Sequence, residues 1–192
     1  MQRARSLAPD PPIAWVVLGA CLIMLVMGQG SLYLVTVSLT TLADAFDWPR
    51  QVPSLAYALG SFGAGVGAIY IARLSERVGM GWIALGGAVS CSTGVMLTSR
   101  IETPIELYLT YGILVGVLGN GALFAPIVAY VSRWFERHRG LSLGIIGSGV
   151  SLAGVIWPPV IGYLNETVGW RTMFLWYGIL SMALMLPMSV IL

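Results

Sequence analysis

The chain is written in long apolar blocks separated by short charged punctuation. Cutting it at every Asp, Glu, Lys and Arg leaves six long charge-free stretches: 11–43, 51–72, 78–99, 107–132, 140–165 and 172–192. Each runs to about 20 residues or more, the length a helix rising ~1.5 Å per residue needs to cross a ~30 Å hydrocarbon layer. The blocks are apolar on every side, whereas a barrel strand would alternate over about ten residues. Helices also satisfy their own backbone groups in lipid. The pattern therefore predicts an all-α integral membrane protein with six transmembrane helices.

Composition strengthens this reading. Only 9% of residues are charged and 57% are hydrophobic. A soluble fold of 192 residues has no interior able to hide six such helices. The 24 glycines suit close helix approach in a membrane. A net charge of +2 gives no reason to expect nucleic acid as a partner.

The arginines set an orientation. Arg3, Arg5, Arg73, Arg77, Arg133, Arg137 and Arg139 fall on the side of the N-terminus, and Arg50, Arg100 and Arg171 on the other. This bias predicts a cytoplasmic N-terminus in a plasma membrane. Short loops and the lack of tails point to a bacterial inner membrane. The first apolar block is too long for the h-region of a cleaved signal peptide. Cys21 and Cys91 lie inside predicted spans and read as small buried hydrophobes. No metal-ligand spacing, no cofactor motif and no span carboxylate is present, so neither an enzyme nor a metal site is expected.

The sequence also contains a faint copy of itself. Gly28-Gln29-Gly30-Ser31-Leu32-Tyr33 parallels Gly119-Asn120-Gly121-Ala122-Leu123-Phe124; Gly60-Ser61 parallels Gly147-Ser148; Ile69-Tyr70 parallels Ile156-Trp157; Glu76-Arg77-Val78-Gly79 parallels Glu166-Thr167-Val168-Gly169. The copies begin three helices apart, so they cross the membrane in opposite directions. Two inverted three-helix repeats, about 11–99 and 104–192, are the construction of one half of a secondary transporter. The last block ends at Leu192 without a polar flank, which suggests a fragment whose C-terminal half is missing, or a truncated reading frame.

Two loops carry a resemblance. Residues 72–79, ARLSERVG, resemble the G-x-L-x-D-R-x-G loop of the major facilitator superfamily, with Ala and Glu in place of Gly and Asp. Residues 133–149, RWFERHRGLSLGIIGSG, with Trp157-Pro158-Pro159 and Gly169-Trp170-Arg171 beyond, resemble its monocarboxylate transporter and oxalate–formate antiporter branch. Pro9-Asp10 before Trp15-Val16-Val17, and Phe46-Asp47-Trp48 after the first block, fit the same branch. The resemblance implies the N-terminal six-helix half of a twelve-helix carrier. It further implies alternating access and a small organic acid as substrate.

Polar residues within the blocks are the candidates for the substrate pathway, because burial in lipid is costly unless they face a cavity or a partner. Gln29, Tyr33, Thr36 and Thr40 form one stripe of the first helix. Asn120 and Phe124 are its counterpart on the fourth. Tyr57 with Ser61, and Ser148 with Ser151, mark the second and fifth. The competing role for each is interhelical bonding. By resemblance, Glu76, Arg77 and Gly79 form a gating loop. Arg133, Arg137 and Arg139 read as a cytoplasmic basic cluster near anionic membrane lipid. No ionisable residue lies in any predicted span. In acid-carrying relatives the anion's counter-charge lies largely in the second half, and where some place a first-helix lysine, Tyr33 stands here. An exporter of neutral or amphipathic compounds, and a non-transporting derivative of a half-transporter, remain open. The second bundle would be a C-terminal half or another copy of this chain.

Overall fold

The computed structural model of the chain describes residues 11–192; Arg3, Arg5, Pro9 and Asp10 lie outside them. Helix α1 (Pro12–Val37) bends at Ser38 into α2 (Leu39–Phe46), followed by α3 (Gln51–Val78), α4 (Met80–Thr98) and α5 (Pro104–Leu109). A π-helical stretch, Thr110–Asn120, joins α5 to α6 (Gly121–Trp134); α7 (Arg139–Thr167) and α8 (Trp170–Ile191) follow. Six helical segments are long and apolar enough to cross a membrane: α1, α3, α4, the composite Pro104–Trp134, α7 and α8. The composite is called the fourth span below.

Local chemistry sets the boundaries. Pro12 and Pro104 open their helices, where a missing N–H costs nothing. Thr103 and Glu106 close a capping box at the start of α5, in which Glu106 Oε2 accepts from the Glu102 and Thr103 N–H groups at 2.8 and 3.3 Å. Gly79 and Gly169 link α3 to α4 and α7 to α8 with φ of +100° and +80°, a region open to glycine without Cβ strain. These are the two glycines that the internal repeat places in register.

One boundary differs from the sequence reading. Residues 72–78, expected in a loop, continue α3 to Val78, so Gly79 alone separates two spans. The segment has the propensity to stay helical, and only the glycine's backbone angles reverse the chain.

The packing follows a two-fold pattern. α1 packs against α7 as the fourth span packs against α3, α1 meets α8 as the fourth span meets α4, and α4 and α8 pack on each other. The α3–fourth span contact has almost no side-chain layer. A methyl on Gly67 would strike the Val117 backbone, one on Gly116 would lie 2.6 Å from the Gly60 carbonyl oxygen, and one on Gly121 would lie 2.8 Å from the Gly67 Cα. Small residues permit such contact, and dispersion between close backbones replaces the hydrophobic drive that lipid removes.

Candidate functional site

The centre of α1 is held by side chains from three other spans. Ser31 Oγ donates to the Gly28 carbonyl at 2.5 Å and accepts from Asn120 Nδ2 at 3.2 Å. Asn120 Nδ2 also donates to the Val115 carbonyl at 3.1 Å. A carbonyl only accepts, so this bond fixes which end of the amide is nitrogen. Tyr111 Oη donates to the Ser31 carbonyl at 3.0 Å. A methyl on Gly28 would meet Asn120 Oδ1 at 3.0 Å, so the glycine admits the amide.

A second clamp lies about one turn earlier on α1. Trp157 Nε1 donates to the Val26 carbonyl at 3.0 Å and Tyr177 Oη to the Met27 carbonyl at 2.6 Å. The two rings meet edge to face with centroids 4.6 Å apart. Both close over Gly30, where any side chain would collide with them. Together the clamps set the rotation of α1 about its axis.

That rotation leaves Gln29 and Tyr33 half-buried, and neither polar group has a hydrogen-bond partner among the described residues. A methyl on Gly154 of α7 would lie 3.1 Å from the Tyr33 hydroxyl oxygen, so the phenol rests on α7. Tyr57, Ser61, Phe124 and Ser148 are exposed on the bundle surface, with Ser148 Oγ donating to the Ile145 carbonyl of its own helix at 2.7 Å. Asn120 differs from them: it is buried and spends its amide on Ser31 and Val115. The candidates thus divide into surface groups, half-buried groups free to bond, and one helix-to-helix tie.

At the arginine-rich end, Arg133 on α6 pairs with Glu76 on α3 at 2.9 Å, both side chains being more than half exposed. Arg77, Arg137 and Arg139 are exposed. Phe135 is buried, with Trp15 edge-on at 5.1 Å, which pins the α6–α7 link to α1. At the opposite end Arg171 donates to the Ser99 and Ile101 carbonyls at 2.9 and 3.4 Å. Its guanidinium lies 4.5 Å from the Trp170 ring centre and 5.6 Å from that of Phe46. Asn165 Nδ2 donates to Ser38 Oγ at the α1–α2 bend at 2.8 Å.

Sequence reading passed over Ser31, Tyr111, Tyr177 and Asn165. A small polar residue directly after Gly28-Gln29-Gly30, as at Ser31, was a usable signal; the tyrosines carried none, because their bonds go to backbone carbonyls of remote helices. Among the described residues no group of three or more His, Cys, Asp and Glu is placed to hold a metal ion.

Residues 19–192 match the model of the Major Facilitator Superfamily. Monocarboxylate transporter 12 of Homo sapiens is 30% identical over 183 residues, covering 93% of this chain and 34% of that protein. Monocarboxylate transporter 3 of Mus musculus is 33% identical over 175 residues, 88% of this chain and 34% of its own length. The MFS-type transporter pynF of Aspergillus niger is 32% identical over 126 residues, 66% of this chain and 29% of that protein. The chain therefore spans about a third of the length of these relatives. With six membrane-length helices packed as one half of that fold, the chain is an integral membrane protein and belongs to the major facilitator superfamily, a family of transporters and not of enzymes.

Proposed function

We propose that the chain is the N-terminal bundle of a secondary carrier that moves small organic acids across the plasma membrane by alternating access. The observation that carries this reading is the match to monocarboxylate transporters over nearly the whole chain. The uncovered faces of α3 and α7, which expose Phe62, Ile69, Val155 and Tyr163, suit a second six-helix bundle, either a C-terminal half or another copy. Gln29, Tyr33, Tyr57, Ser61, Phe124 and Ser148 line this half of the path in that reading, and Asn120 holds α1 against the fourth span beside it. The repeats run from about 11 to 99 and 104 to 192.

The arginine-rich end faces the cytoplasm, as the distribution of arginines favours, and Arg137 and Arg139 lie near anionic headgroups. Glu76, released from Arg133, would meet a helix end of the second bundle when the cytoplasmic side closes, with Arg77 and Gly79 shaping the turn. Such a contact is worth about 0.3–1 kcal/mol, enough to bias a near-balanced equilibrium. A second reading, export of neutral or amphipathic compounds, is favoured by the uncharged spans.

Uptake of radiolabelled short-chain acids into vesicles, with the chain expressed alone and with its downstream coding sequence, tests the proposal. Saturable uptake inhibited by other monocarboxylates supports it. Uptake or efflux confined to uncharged solutes would overturn the substrate class, and no transport in either form would overturn the carrier reading.

A further inference from the structure

Helix α7 contains two adjacent prolines, Pro158 and Pro159. Neither has an N–H, so the carbonyls of Gly154 and Val155, four residues earlier, lose their helical donors. The nearby Trp157 indole N–H does not replace them, because it is committed to the Val26 carbonyl on α1. Gly154 and Val155 lie at the midpoint of a 29-residue helix, the depth at which lipid would leave a bare carbonyl most costly. Irregular backbone persists there where it lines a cavity or a protein contact.

The surroundings of these carbonyls are polar and uncommitted. The Tyr33 hydroxyl lies against Gly154 with no side chain between them. It is half-buried and has no partner among the described residues. Gln29 stands one turn earlier on α1, equally half-buried and equally free. Ser151, one turn before Val155 on α7, is exposed on the same face. Two acceptors and a phenol thus meet at this level, with the Gln29 amide and the Ser151 hydroxyl one turn away along their own helices. The stretches 11–43 and 140–165 that carry them hold no Asp, Glu, Lys, Arg or His.

We infer that the midpoint of α7 is a subsite for a hydrogen-bond donor on the substrate, the Gly154 and Val155 carbonyls accepting an O–H and the Tyr33 phenol completing the contact. This rests on the carrier reading above. Carbonyl oxygens carry partial negative charge, and a carboxylate beside them would be repelled. The substrate's carboxylate therefore points toward the second bundle, and its donor is at the remote end. The two prolines and Tyr33 are the specificity-determining residues on this side.

The test is equilibrium binding to de-energised membrane vesicles bearing the chain, which reads affinity without requiring transport. The probes are 4-hydroxybutyrate, butyrate and 4-aminobutyrate. One neutral hydrogen bond predicts about fivefold tighter binding of the hydroxy acid than of butyrate. Pro158→Ala and Pro159→Ala each return an N–H to one carbonyl, and their combination is expected to bring the ratio of the two affinities to about one. These substitutions favour the helix, and reversible SDS unfolding of each variant, measured alongside, reads its folding independently of binding. Tyr33→Phe is expected to lower the ratio partway. Equal binding of the two acids by the wild-type chain, no binding of either, or a ratio that survives both proline substitutions would overturn the inference. Preference for 4-aminobutyrate would overturn it in favour of an ammonium site. Binding with the expected ratio but no uptake would leave the subsite standing and remove the transport reading.

Discussion

Asn120→Ala separates a structural tie from a substrate contact. The substitution removes two bonds, Nδ2 to Ser31 Oγ at 3.2 Å and to the Val115 carbonyl at 3.1 Å. Side-chain hydrogen bonds between membrane helices average about 0.6 kcal/mol, with a maximum near 1.7, so the bond to Ser31 predicts a loss of about 0.6 kcal/mol, to which the bond to Val115 of the same span adds. The void left by the amide at a site only 5% exposed adds to that loss. A double-mutant cycle with Ser31→Ala isolates the single interhelical bond, with an expected coupling of about 0.6 kcal/mol. Reversible unfolding by SDS in bicelles, followed by tryptophan fluorescence, measures all four corners. A coupling of zero, with stability retained in Asn120→Ala and uptake abolished, would refute the reasoning and make Asn120 a substrate contact.

Gly67→Ala should destabilise by about 1–3 kcal/mol through overpacking, because the methyl meets the Val117 backbone, whereas Gly65→Ala, which meets nothing within 4 Å, should be neutral in the same unfolding assay. Tyr177→Phe should cost about 1 kcal/mol by leaving the Met27 carbonyl without its side-chain donor, and hydrogen exchange at Gly30 and Ser31 should quicken with it. Arg133→Gln breaks an exposed pair and should shift stability by less than about 1 kcal/mol. Any shift should shrink as salt rises, read by repeating the denaturation at two ionic strengths.

The six spans were legible because charge is excluded from lipid so strongly that blank stretches of sequence outline helices. Gly79 and Gly169 were legible as a repeat, and the structure supplies the physical reason in their positive φ. The bend at Ser38 was not: an uninterrupted apolar block looks the same whether its helix is straight or broken. The π-helical stretch was equally silent, since widening a helix alters its register without altering hydrophobicity. The capping box at Thr103 and Glu106 was present as T-P-I-E and could have been read. At the site, Gln29 and Tyr33 were marked by polarity at helical spacing. The Trp157 and Tyr177 clamps depend on which remote carbonyl a ring reaches, and only tertiary packing determines that.

The glycine contact between α3 and the fourth span has a mechanical consequence. Helices separated by side chains can slip past one another, because rotamers re-form as they move. Here the carbonyl of Gly60 and the Cα of Gly67 face backbone directly, and nothing between them can yield. A slip of one residue would drive a carbonyl into a Cα or open a gap that no side chain fills. The pair is therefore stiff in shear and travels as one beam.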